Sequence, residues 1–431
     1  MSAPNLVLRN ALWQNRRIDL IVEHGCIKDR IPADKNRRYA GLQAYDVQGA
    51  MLLPGLIDAH THLRDPGQEY KEDIFSGLQA AARGGFCHLL AMANTDPVND
   101  CASVTLGQLH RARHGHPHGP FLHPVGALSK GLCGRELAPY YELAAAGCIA
   151  LSNDGVPVAD NALFRRAMEY SADVGLTVID HCEDPALAAG GGINEGRLSD
   201  RLGLPGQPSI AEALQVSRDI LLAGYLGIPV HLAHISTRES VELITRAKAS
   251  GVLVTAETCP HYLLFAEDMV GEYSTLAKVN PPLRTQEDIL ALRQAVREGV
   301  IDILVTDHAP HADFEKDVPF SQAPNGISGL DTALSLTWSL VQKDILSLED
   351  LIRLWSTAPA QIYGLGVNTF SPGDPADITV FDPTAQWTVT PESMVSKGKN
   401  TPCLHTQLPG RVLGLFIQGR PVYTGSLHPQ E

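Results

Sequence analysis

The chain is 431 residues long, 44% hydrophobic, and carries a formal net charge of −14. That length and apolar content can bury a large core and exclude a disordered polypeptide, while the negative balance excludes a surface that tracks nucleic-acid phosphates. Eight cysteines lie scattered without a CxxC pair; a chain this long needs no disulfide framework, so they are expected as reduced, buried thiols of a cytoplasmic protein.

The N-terminus, MSAPNLVLRNALW, lacks a basic region followed by a long apolar run, so no signal peptide is expected. No stretch of about 18 apolar, uncharged residues marks a membrane span. NLVLRNALW and RIDLIVEHGCIKDR read as short strands separated by turns. From Met51 onward short apolar runs alternate with helical patterns. The runs are MLLPGLIDAHTHL, CHLLAMANT, FLHPVGAL, CIALSND, LTVIDHCED, PVHLAHIST, VLVTAETCPH and IDILVTDHAPH. Amphipathic segments such as EDIFSGLQAAARGG, NALFRRAMEYSADVG, TRESVELITRAKASG and TQEDILALRQAVREG separate them, several ending in the Gly that commonly stops a helix.

Continuous apolar strands alternating with helices imply a parallel sheet buried on both faces. Eight such units imply a closed (β/α)8 TIM-like barrel, with a doubly wound open sheet as the alternative. Two further helices follow, LDTALSLTWSLVQ and SLEDLIRLWSTAPAQIYG. Beyond Gly364, DPADITVFDP, WTVTP and RVLGLFIQGRPVYTG read as antiparallel strands. The expected organisation is a small β-domain formed by residues 1–50 and 366–431, beside a barrel at residues 51–365.

Polar residues cluster at the C-terminal ends of the barrel strands, which converge on one mouth in this fold. Strand one ends in His60 and His62, which share a face because residues i and i+2 of a strand do. Strand four offers Asp154, strand five His181, strand six His234 and strand eight Asp307. Each alone is as readily a hydrogen-bonded core residue as a ligand. Together they are four imidazoles and two carboxylates, a set suited to zinc or a similar divalent ion, and two metals sharing a bridging carboxylate would use them all. Arg64 directly follows the histidine pair and can clasp a carboxylate bidentately, although a surface salt bridge is its other reading. The segment from Ala312 to Gly329 has little periodicity and is expected as a functional loop able to close over the mouth.

Other features read as structural. His110, His114, His116 and His118 fall at a solvated helix end. His261 is placed on strand seven, outside the ligand set, and Lys130 in a loop. Cys182 and Cys259 near the mouth carry no mark of a nucleophile. GGGINEGRLSDRLGLPGQPS lacks the Lys and the spacing of a phosphate loop.

PGLIDAHTHLRDPG, AMANTDP, SNDG, HCED, HLAHIST, ETCPHYL, VNPPLR, TDHAPH and PNGISGLDTAL, with ADITVFD in the tail, resemble the amidohydrolase superfamily. Within it they are similar to the longer bacterial dihydroorotases, over nearly the whole chain. The resemblance implies reversible hydrolysis of L-dihydroorotate to N-carbamoyl-L-aspartate by metal-bound hydroxide, the third step of de novo pyrimidine synthesis. It implies Zn2+, one or two per subunit, with His60, His62 and Asp307 on the more buried metal and His181 and His234 on the second. Asp154 stands where many relatives carry a bridging carboxylated Lys. Asp307 is implied as the catalytic proton carrier, and Arg64, Asn94 and His311 as the substrate carboxylate subsite. Asn280 is implied as a ring contact, and Gly326 and Ile327 as backbone donors. The rival readings are a hydantoinase- or allantoinase-like cyclic amidase, which usually keeps the Lys, and a non-catalytic partner of aspartate transcarbamoylase, which tends to lose ligands. A homodimer and a complex with that transcarbamoylase stay open.

Overall fold

The computed structural model describes residues 4–430. Eight strands form one parallel sheet: Leu56–Thr61, Phe86–Ala91, Phe121–Ala127, Ala150–Ser152, Thr177–Asp180, Val230–Leu232, Val254–Thr258 and Ile303–Leu304. Each pairs with its sequence neighbour. The ends of the sheet meet where Thr61 bridges His308 and the His62 N–H donates to His308 O at 2.8 Å. A sheet closed this way and wrapped by helices has no solvent-facing side. That is why all six residues of Leu56–Thr61 are buried and the sequence there does not alternate.

The second, nine-stranded sheet draws on both ends of the chain. Leu6–Trp13, Arg16–Glu23 and Cys26–Pro32 form an antiparallel meander. Ile378–Thr388 and Gln407–Ile417 supply the long antiparallel pair on the other side. Leu6, Leu20, Ile378 and Phe416 pack into a core of their own. Met51–Pro54, placed at the head of the barrel by its apolar sequence, pairs instead with Ile378–Phe381 of this second sheet. The break is Gly55, whose N–H donates to Asp377 O and whose carbonyl accepts from Ser356 Oγ. One continuous apolar run therefore serves two sheets.

Three other expectations are revised. SLEDLIRLWSTAPAQIYG is helical, but its helices Leu348–Ile352 and Ala358–Tyr363 are joined by a π turn at Arg353–Thr357. Pro359 has no N–H to return to the preceding turn, and the widened turn absorbs the mismatch. His261 lies in a short helix, Pro260–Leu264, rather than on strand seven, because Pro260 ends the strand and occupies a first-turn position. All eight cysteines are free, but Cys26 and Cys133 are exposed rather than buried. Among the described residues no helix is long and apolar enough to cross a membrane.

The close approach at Gly55 gives a test. A Cβ there would lie 2.2 Å from Cys87 Sγ, whereas one on Gly107, in an exposed stretch of helix, would meet nothing within 4 Å. Gly55→Ala is expected to destabilise the protein by about 1–3 kcal/mol through overpacking. Gly107→Ala should be neutral or stabilising by up to about 1 kcal/mol. Chemical denaturation of both variants measures the difference.

Candidate metal centre

The six residues singled out at the strand ends converge. Asp154 is their hub: its Oδ1 lies 3.3 Å from His60 Nε2, 3.3 Å from His181 Nδ1 and 3.4 Å from His234 Nε2. Its Oδ2 lies 3.4 Å from His62 Nε2. Asp307 Oδ1 faces the same two strand-one rings, 3.0 Å from His62 Nε2 and 3.8 Å from His60 Nε2. His181 Nδ1 and His234 Nε2 are 2.8 Å apart. All six side chains are buried.

Parallel strands aim these groups by ending. His60 is the penultimate residue of its strand and the other five lie just past the ends of theirs, where the backbone leaves the sheet and turns toward the mouth. Two of them, His234 and Asp307, and the neighbouring Arg64 have positive φ, at 32°, 46° and 59°. A non-glycine residue in that region costs of order 1–3 kcal/mol and persists only where surrounding contacts hold it. Here strain and polar convergence coincide. Beneath them Asp58 is fully buried, accepting from Thr306 N at 3.0 Å and Thr306 Oγ1 at 2.5 Å, and burial pushes its carboxyl up to about 7.

The outward-facing atoms of the rings are held too. His62 Nδ1 is 2.9 Å from Asn94 Oδ1, and His60 Nδ1 is 2.6 Å from Glu257 Oε1. His181 Nε2 lies 3.5 Å from Glu183 Oε2, which also accepts from Asn280 Nδ2 at 2.8 Å. Proton placement then tests whether the cluster fits a cation. With a proton drawn to His60 Nδ1 by Glu257, His60 Nε2 turns a lone pair toward Asp154, and this buried atom makes no hydrogen bond. Burial pushes the His181 imidazole down, but Asp154 and Glu183 more than reverse this and lift it to about 10. A buried lone pair on His60 and carboxylates that draw positive charge onto the neighbouring rings fit a divalent ion.

Above the cluster lies a cavity of about 170 Å³ lined by His62, Arg64, Asn94, Asn280, Asp307 and Gly326, among others. Arg64 is half-buried and its Nε donates to Pro310 O at 3.2 Å. His311 Nε2 donates to Asn325 O at 2.8 Å, and burial, with Arg64 nearby, pushes its imidazole down to about 3. Two expected contacts look different. The Gly326 N–H is already committed to Lys278 O at 3.0 Å, and Ile327 is paired with His308 behind the cavity wall. Gly326 still has a fixed role, because its φ is 146° and a Cβ would sit 2.5 Å from Ala309 O.

Several supporting residues escaped the sequence reading. Glu257 is a single carboxylate in a largely apolar run, and Glu183 is one of several acidic residues in VIDHCED. Asn400 lies in an unperiodic stretch, yet its Oδ1 accepts the His311 N–H at 2.8 Å while its Nδ2 donates to Ala309 O and Gly326 O. The segment from Ala312 to Gly329 holds one short helix, Asp313–Lys316. It is stitched down by two lysines. Lys316 Nζ donates to the carbonyls of Thr275, Lys278 and Pro324, and Lys278 Nζ donates to Phe320 O at 2.7 Å.

A family model described as dihydro-orotase-like matches residues 49–240. Among curated relatives, a dihydroorotase of Syntrophus aciditrophicus is 46% identical over 413 residues, covering 94% of this chain and 95% of its own. One of Geobacter metallireducens is 45% identical over 406 residues, covering 94% and 95%. Among solved structures, the L-hydantoinase (dihydropyrimidinase) of Arthrobacter aurescens superposes with a TM-score of 0.83 at 23% identity, over 99% of this chain and 97% of its own. The dihydropyrimidinase of Brevibacillus agri gives 0.80 at 22%, over 98% and 95%. At that identity the structural likeness speaks for the barrel and its companion sheet alone.

Lys316→Met removes a charged donor from three carbonyls. Opening of the segment should become easier by about 2 kcal/mol or more. Limited proteolysis within residues 312–329 is then expected to run at least about tenfold faster, with the rest of the chain still resistant; an unchanged rate would show that the lysine does not hold the segment.

Proposed function

The chain belongs to the dihydroorotase family, and we propose that it catalyses the reversible hydrolysis of L-dihydroorotate to N-carbamoyl-L-aspartate at the mouth of the barrel. The observation that carries this reading is the convergence of four imidazoles on Asp154 directly beneath a cavity walled by Arg64. His60, His62 and Asp307 would hold one divalent ion and His181 and His234 a second, with Asp154 between them. The donor set favours Zn2+, one or two per subunit. Bound there, the metal supplies Lewis acidity and lowers the pKa of water from about 16 toward about 7.

The chain's own residues do the rest. Arg64 presents a guanidinium to the substrate carboxylate, the bidentate partner that group prefers, and Asn94 and His311 complete that subsite. The Asn94 Oδ1 is engaged by His62, so its amide N–H is the group left to donate. Asn280, tied to Glu183, is positioned to meet the ring. Asp307 accepts the proton released as water adds to the ring carbonyl and returns it to the departing amide nitrogen. In the biosynthetic direction the same groups close the ring. The Arg64 subsite favours a substrate carrying a carboxylate over a plain hydantoin.

Ring opening followed by ultraviolet absorbance tests the assignment. Metal-replete protein should turn over L-dihydroorotate, lose activity to a chelator and regain it with Zn2+. Asp307→Asn is expected to lower kcat by about 100-fold or more, the scale of a lost acid–base group. Arg64→Met should act mainly through KM. No turnover by metal-replete protein, or an Asp307→Asn variant of full activity, would overturn the proposal.

A further inference from the structure

Strand seven contributes nothing to the cluster of six, yet it carries Glu257, a carboxylate with no solvent exposure. A charge buried this deeply is costly unless every oxygen is engaged. Glu257 Oε1 lies 2.6 Å from His60 Nδ1 and accepts from the backbone N–H of His234 at 3.3 Å. Its Oε2 lies 2.9 Å from His231 Nε2, and the far side of that ring, Nδ1, is 2.7 Å from Thr255 Oγ1. One side chain thus ties the end of strand one to the end of strand six and is itself clamped from behind by His231.

We infer that Glu257 is the positioning residue of the metal centre, fixing the His60 ring and its tautomer so that Nε2 faces Asp154 and Asp307. The inference rests on the reading of His60 as a ligand. A neutral imidazole has one N–H, and a carboxylate at Nδ1 holds the proton there, leaving Nε2 with the lone pair a metal needs. The contact to the His234 N–H falls on a residue with φ of 32°. The same carboxylate therefore braces a strained backbone whose side chain faces Asp154 from the other side. If Glu257 served only to satisfy His231 in the core, its loss would change stability and leave metal affinity alone.

Zn2+ affinity of metal-free protein, measured by competition with a chromophoric chelator, separates these roles, and the visible spectrum of the Co2+-substituted protein reports the ligand geometry. Glu257→Gln keeps length and volume but leaves an acceptor for only one of the two imidazoles. It should weaken the tighter Zn2+ site by about 10–100-fold and alter the Co2+ spectrum, with the circular dichroism of the wild type. Wild-type Zn2+ affinity in a folded Glu257→Gln protein would overturn the inference. His60→Ala, measured alongside, guards the premise: if it too binds Zn2+ normally, the ligand reading fails rather than the positioning role. Should Glu257→Gln not fold, His231→Asn decides, since it frees the rear of the carboxylate. A several-fold loss of Zn2+ affinity there supports the inference and no loss overturns it.

Discussion

One carboxylate faces four imidazoles. Asp154 stands within 3.4 Å of His60, His62, His181 and His234, and its oxygens are shared among rings from three other strands. A group of that kind is unstable in a protein interior unless something positive sits among the donors, whether protons or a metal. Much of the surrounding architecture follows from keeping these donors in place while their mutual repulsion is unrelieved. His234 and Asp307 keep strained backbones, and Glu257 behind His60 and Asn94 behind His62 hold those rings from their far sides.

The second sheet and the C-terminal stretch take part in this restraint. His308, next to Asp307, is pinned by Glu72 and Ser396 on one face and accepts from the Gly329 N–H on the other. Glu72 also accepts from Ser396 Oγ at 2.5 Å. Asn400 bonds both the backbone of His311 and that of Gly326. Residues remote in sequence from the barrel strands thereby fix the loop after strand eight. The end sheet is thus coupled to the mouth through the chain that leaves it, and loss of that stretch would be felt where the substrate carboxylate binds.

The barrel was readable because a strand buried on both faces must be apolar throughout, and the polar cluster at its mouth because strand ends are where such runs turn polar. His60, His62, Asp154, His181, His234 and Asp307 all stand at that transition. The residues that hold them were not readable for equally physical reasons. Glu257 in VTAETC looks like an ordinary polar position of a strand, and only closure of the barrel shows that it faces His60 and His231. Lys278 and Lys316 look like solvated charges, whereas their ammonium groups are capped by backbone carbonyls. Met51–Pro54 carries the same apolar signal in either sheet, so nothing in its composition says which one it joins. The committed N–H of Gly326 depends on a carbonyl at Lys278 that sequence spacing does not locate.

The central claim is that these six side chains hold the metal on which catalysis depends. The most direct test is anomalous diffraction at the zinc edge from crystals grown with Zn2+. The account predicts one or two peaks enclosed by His60, His62, Asp154, His181, His234 and Asp307. Peaks only elsewhere, for example beside Asp180, Cys182 and Asp219, the other buried group of suitable ligands, would contradict it.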